Sequence, residues 1–206
     1  MLLDTLILII VLLFSMVFHE VAHGYAAYKL GDPTAKYAGR LTLNPLAHLD
    51  PVGSFLFPLF TLIITLGRGP VFGWAKPVPI NPYNFSDQKW GELKVSAAGP
   101  GINFLIALFF GSLVRFFSLP LTILDIFSFI CIYNLFLMLF NLLPIPPLDG
   151  SHILFSLLGD KYYELKIMLQ QYGLLFLFLF LYFGLDFIEP LVFKMYSVIT
   201  GQGFAF

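Results

Sequence analysis

The chain has 206 residues, 59% of them hydrophobic and 11% charged, with a net charge of −1 and a mean hydropathy of +0.88. Soluble domains carry about 25% charged residues, so polar side chains cannot coat this surface and lipid must serve as part of the solvent. No basic patch or RNA-binding signature appears, so no nucleic-acid partner is expected, and a single cysteine, Cys131, excludes an internal disulfide.

The opening run "MLLDTLILII" lacks the cationic start of a signal peptide and is followed by no small-residue cleavage site. Residues 3–30 therefore read as a retained membrane helix. Crossing a bilayer takes about 20 mainly apolar residues, and three further segments qualify: 92–117, 121–143 and 170–189. The break at Leu119 and Pro120 suggests that the second and third form an antiparallel pair. Residues 52–66 would give only about 22 Å of helix, and 190–200 form another short apolar piece.

Two irregular regions, 37–51 and 67–85, hold prolines at spacings that exclude long helices. Alternation in "GRLTL" and "PVPI" predicts short strands there, at 37–43 and 70–80. The expected fold is an all-α polytopic membrane protein with about four spanning helices, one or two short re-entrant or interfacial segments, and minor β-hairpin loops. With no linker or internal repeat, residues 1–206 read as one membrane domain.

Orientation follows from lysine and arginine. If 52–66 dips in and returns, one face receives Lys29, Lys36, Arg40, Arg68, Lys76, Lys89, Lys94, Lys161 and Lys166, leaving Arg115 and Lys194 opposite. That face is expected to be cytoplasmic, in the cell membrane.

The first spanning segment ends in "FHEVAHG" at 18–24, an ionisable cluster in a setting where unpaired polar groups are costly. On a helix His19 and His23 lie one turn apart on one stripe, so both rings can reach a single ion. Glu20 stands beside that position without being tied to it, and can take a proton from an attacking water and pass it to a leaving amine. A zinc site of this kind needs a third protein ligand. The candidate is Asp149 in "NLLPIPPLDG" at 141–150, which follows a proline-rich break on the same basic face. His23 and His19 sit about 9 and 15 Å along the axis from Lys29, so both halves of the site approach from one side. Transport through an ion or proton site, or helix capture by a non-catalytic scaffold, would use the same cluster without needing Glu20 at that spacing.

Together "HEVAH" and "NLLPIPPLDG" resemble the site-2 protease family of intramembrane zinc metalloproteases. That family joins His-Glu-x-x-His to Asn-x-x-Pro-x-Pro-x-Leu-Asp-Gly, and every specified position is met here. "AGPGIN" at 98–103 is similar to a further family element, Gly-Pro-x-x-Asn. The resemblance implies one Zn²⁺ per chain held by His19, His23 and Asp149, with Glu20 as general base. It also implies a transmembrane protein segment as substrate and a regulatory membrane partner. The family's PDZ insert and CBS extension are absent, so the chain looks like the short, core-only branch.

Asn141 and Asn103, each inside a matching motif, are candidates for contact with substrate or a developing oxyanion, against interhelical hydrogen bonding. Pro144, Pro146 and Pro147 remove helix donors and keep the backbone open beside the metal. His152, three residues past Asp149, and His48 read as hydrogen-bonded interface histidines, with support of a ligand conceivable for His152. Trp74, Trp90, Tyr83, Tyr162 and Tyr163 read as headgroup-level anchors.

Overall fold

A computed structural model describes residues 2–64, 76–158 and 162–202. Eight α-helices form in these segments: α1 (Leu2–Lys29), α2 (Thr34–Tyr37), α3 (Phe57–Ile64), α4 (Gly91–Phe116), α5 (Leu121–Asn141), α6 (Asp149–Leu157), α7 (Tyr163–Phe183) and α8 (Leu185–Thr200). Four are long and apolar enough to cross a membrane, namely Leu6–Lys29 in α1 together with α4, α5 and α7. The chain is an all-α, multi-pass membrane protein.

Helix α4 is central, touching α1, α5, α6 and α8. Its contact with α5 and α8 forms an apolar core of Ala107, Cys131, Leu135, Met138, Ile188, Val192 and Tyr196. Leu6, Ile9, Ile10 and Phe14 of α1 face outward, as do Leu174, Leu175, Phe178 and Tyr182 of α7. Exposed apolar surface on that scale suits lipid and not water.

The fourth spanning helix covers 163–183, not 170–189. Gly184 ends it, with its N–H on the Phe180 carbonyl at 2.6 Å, and α8 starts at the next residue. Hydropathy alone merged the two apolar runs across that glycine, and it passed over the polar first turns of α7. Residues 51–64 form a π-helical turn running into α3, together shorter than a span. The expected β-hairpin loops are not found among the described residues, while 67–75, with Trp74, Arg68 and most of the 70–80 strand, lie outside them, as does Lys161.

The reason lies in the fate of the backbone donors. Lys76 N–H goes to the His48 carbonyl (2.9 Å), Val78 N–H to Glu20 Oε2 (2.9 Å) and Asn81 N–H to Asp32 Oδ2 (2.7 Å), while Pro77 and Pro79 have none to give. Residues 76–86 are thus a strap laid along the C-terminal half of α1, irregular over 76–81 and closing in a 3-10 turn at Pro82–Asn84. Asp32, fully buried, fastens its far end by also accepting from Asn84 Nδ2 at 2.8 Å.

Candidate metal centre

Helices α1 and α6 carry the three expected ligands to one point. His19 Nε2 and His23 Nε2 are 3.0 Å apart, and Asp149 Oδ2 lies 3.0 Å from the first and 3.3 Å from the second. The histidines are buried and Asp149 nearly so. Each imidazole is fixed through its other nitrogen. His19 Nδ1–H donates to Asn103 Oδ1 (3.1 Å), and His23 Nδ1–H donates to the Val95 carbonyl (2.7 Å). Both acceptors belong to α4.

That outer pairing decides the tautomer. With hydrogen on Nδ1, both Nε2 atoms present bare lone pairs toward each other. Asp149 Oδ2, buried and without a hydrogen-bond partner, points at the same spot. Three acceptors converging without a donor repel one another unless a cation lies between them. Tetrahedral zinc with bonds near 2.0–2.1 Å separates its ligand atoms by about 3.3 Å, within a few tenths of an ångström of the spacing found. The donor set fits zinc.

Two glycines allow this convergence. A Cβ built on Gly99 of α4 would lie 2.3 Å from His23 Nε2 and 2.6 Å from His19 Nε2. At Gly150 a Cβ would meet the Leu142 carbonyl oxygen at 2.2 Å, so only glycine lets the start of α6 close on the end of α5 and bring Asp149 inward. Pro100 follows Gly99 and leaves the Ser96 carbonyl without its usual ladder donor, inside the wall of the site.

A cleft of about 370 Å³ opens beside the ligands. Glu20, Asn141, Pro147 and His152 line it, together with Val95 and Ser96 of α4 and Pro77, Val78, Ile80 and Pro82 of the strap. Glu20 borders the ligand trio, and Val78 N–H holds its Oε2. Asn141 reaches the cleft with its Nδ2 on the Leu137 carbonyl at 2.9 Å. Asn103 does not line it; its described bond is the one to His19, an orienting contact in place of the expected substrate contact.

His152 joins the cleft wall through Glu92, with 2.9 Å between Nδ1 and Oε1. His48 is buried elsewhere against the Thr42 carbonyl. Trp90, Tyr83, Tyr162 and Tyr163 are exposed on the surface.

A sequence profile described as Peptidase family M50 matches residues 118–180. YwhC of Bacillus subtilis, named as a zinc metalloprotease, is 42% identical over 183 residues, covering 84% of this chain and 79% of the relative. The chain belongs to peptidase family M50. Rip2 of Mycolicibacterium smegmatis is 31% identical over 169 residues, which are 79% of this chain and 61% of that protein. Zinc metalloprotease MJ0392 of Methanocaldococcus jannaschii is 28% identical over 160 residues, or 78% and 37%. No solved structure matches. This M50 peptidase is a zinc metalloprotease of the site-2 protease type, in keeping with the two motifs, and the cluster just described is where its metal fits.

Proposed function

We propose that this protease hydrolyses peptide bonds within or next to the transmembrane segments of membrane proteins, as in regulated intramembrane proteolysis. The observation that carries this reading is the trio of ligand atoms among helices long enough to span, with a cleft alongside that admits a peptide and water. His19, His23 and Asp149 are assigned as ligands, Glu20 as general base, and Asn103 and the Val95 carbonyl as the groups that orient the imidazoles.

Zinc, when bound, supplies a Lewis acid for the scissile carbonyl. Glu20 takes the proton of the attacking water on the oxygen not engaged by Val78 and delivers it to the leaving nitrogen. A helical substrate hides its carbonyls in its own ladder, so it must unwind to reach this cleft, and Asn141 and the strap are placed to meet the opened backbone. Residues 1–206 act as one membrane domain in the cell membrane. The Lys- and Arg-rich face, and with it the cleft, is cytoplasmic, and a regulatory membrane protein governs access.

The test compares the parent with Glu20→Gln and His23→Ala on a transmembrane peptide in vesicles, with zinc measured by elemental analysis. Glu20→Gln is expected to keep its zinc and lose cleavage, and His23→Ala to lose both. Cleavage by Glu20→Gln at the parental rate would remove the general-base assignment.

A further inference from the structure

Peptide hydrolysis requires a donor for the negative charge that builds on the scissile carbonyl oxygen, and a donor in place before reaction is worth most. Among the described residues lining the cleft, most polar hydrogens are already spent. The ligand imidazoles give theirs to Asn103 and Val95, and the Val78 N–H goes to Glu20. Among the side chains, what remains is the second amide hydrogen of Asn141, the Ser96 hydroxyl and Nε2 of His152. Only the last can carry positive charge, which makes its hydrogen bond to an oxyanion roughly twice as strong as a neutral one.

His152 is also the one that is placed and held. It follows Asp149 by three residues on α6, so the two side chains share a helix face and the imidazole stands about one turn beyond the ligand carboxylate. Glu92 accepts from Nδ1 at 2.9 Å, which fixes the ring and turns Nε2 away from Glu92; in the imidazolium form Nε2 then carries a hydrogen free to donate. Glu92 is itself on the α4 face that carries Ser96, Gly99 and Asn103 at helical spacing, so one rigid helix sets both the ligand histidines and this pair. Both members line the cleft beside the ligands with their side chains about half exposed. The Glu92 carboxylate raises the His152 pKa above that of an ordinary histidine, outweighing the burial that lowers it, and so favours the imidazolium.

We propose that His152 is a catalytic residue of this protease, donating its Nε2–H to the oxyanion developing on the scissile carbonyl, with Glu92 as its positioning residue. The proposal rests on the protease reading above and adds to it.

The experiment uses the full-length, zinc-loaded protein in vesicles with a transmembrane peptide, and reads kcat, KM and zinc content. It adds the binding of two probes: a peptidyl phosphinate, whose tetrahedral P–O⁻ imitates the oxyanion, and a planar peptidyl hydroxamate. His152→Ala is expected to lower kcat by about 10²–10³-fold, the usual loss of one oxyanion donor, with zinc content kept and KM within about threefold. Phosphinate affinity should fall by a comparable factor while hydroxamate affinity holds. His152→Gln, whose amide nitrogen can stand near the Nε2 position, should recover part of the loss. Glu92→Gln should slow the parent about tenfold and leave His152→Ala unchanged.

Parental kcat and phosphinate affinity in His152→Ala would overturn the proposal. So would equal losses of zinc and of both probes, which would mark the residue as structural. Failure of the underlying reading looks different: the parent and Glu20→Gln would then be indistinguishable in cleavage, while the phosphinate arm, which needs no turnover, would still report on His152.

Discussion

Replacing Gly99 by alanine places one methyl group where the metal's ligands meet. Its Cβ would lie 2.3 Å from His23 Nε2 and 2.6 Å from His19 Nε2, against an ordinary contact of about 3.4 Å, so the rings must retreat by roughly 1 Å. Both rings are tied at Nδ1 to α4, the helix that carries the new methyl, so they cannot retreat without breaking those bonds. Overfilling a well-packed site costs about 1–3 kcal/mol, and disturbing the partners of ligand histidines weakens metal binding about 10–100-fold. The two effects act together here, so zinc affinity should fall at least about 100-fold, or about 2.8 kcal/mol at 1.4 kcal/mol per decade. A chelator-competition titration of the purified protein measures this, with circular dichroism confirming that the helices persist. Gly101→Ala is the control, since its Cβ meets nothing within 4 Å. It should bind zinc like the parent and gain slightly in stability, as alanine favours helix. Zinc affinity of Gly99→Ala within threefold of the parent would refute this account of the site.

Gly150→Ala should also weaken zinc, because its Cβ meets the Leu142 and Leu143 carbonyl oxygens at 2.2 and 2.4 Å and backbone cannot rotate away; the same titration reads it. Val78→Pro removes the N–H that holds Glu20 and should lower kcat about tenfold with zinc unchanged, whereas Val78→Ala keeps the donor and should not; steady-state kinetics separate the two. Asp32→Ala leaves the donors of Thr34, Asn81 and Asn84 without their acceptor, should cost about 2–3 kcal/mol, and should speed proteolysis at Lys76. Burial raises the Asp32 pKa, but those hydrogen bonds more than offset it and hold it below the ordinary aspartate value. A depressed folded pKa means stability that is full above the ordinary range and lost as pH falls through the folded value, so acid should free the strap in the parent but add nothing in Asp32→Ala.

Local pattern carried the trio that the fold brings together. His19 and His23 share a stripe because they are four apart on a helix, and Asp149 follows a proline break, both properties of short stretches of chain. The surroundings were not legible, because they depend on contacts between distant positions. Glu20 and Val78 are 58 residues apart, and His19 and Asn103 are 84 apart. Gly99 lies in sequence within the Gly-Pro-x-x-Asn element of a spanning segment, and only the crossing of α1 over α4 turns it into the floor of the candidate metal site. Asp32 belongs to no motif singled out in the sequence and is a buried anchor in the fold. Over 76–80 no strand forms, because alternation says nothing about where N–H groups go once prolines have removed their neighbours and a carboxylate has taken one of the rest.

The strap has a bearing on the order in which the protein matures. Helix α1 is synthesised well before residue 149, so its two imidazoles and its glutamate must enter the bilayer with no counter-ligand yet made. The acceptors on α4 and the clasp from Val78 are translated in between, and they can shelter the cluster while ribosomal synthesis proceeds toward α6. A metal held by all three side chains therefore has to wait until residue 149 has been made.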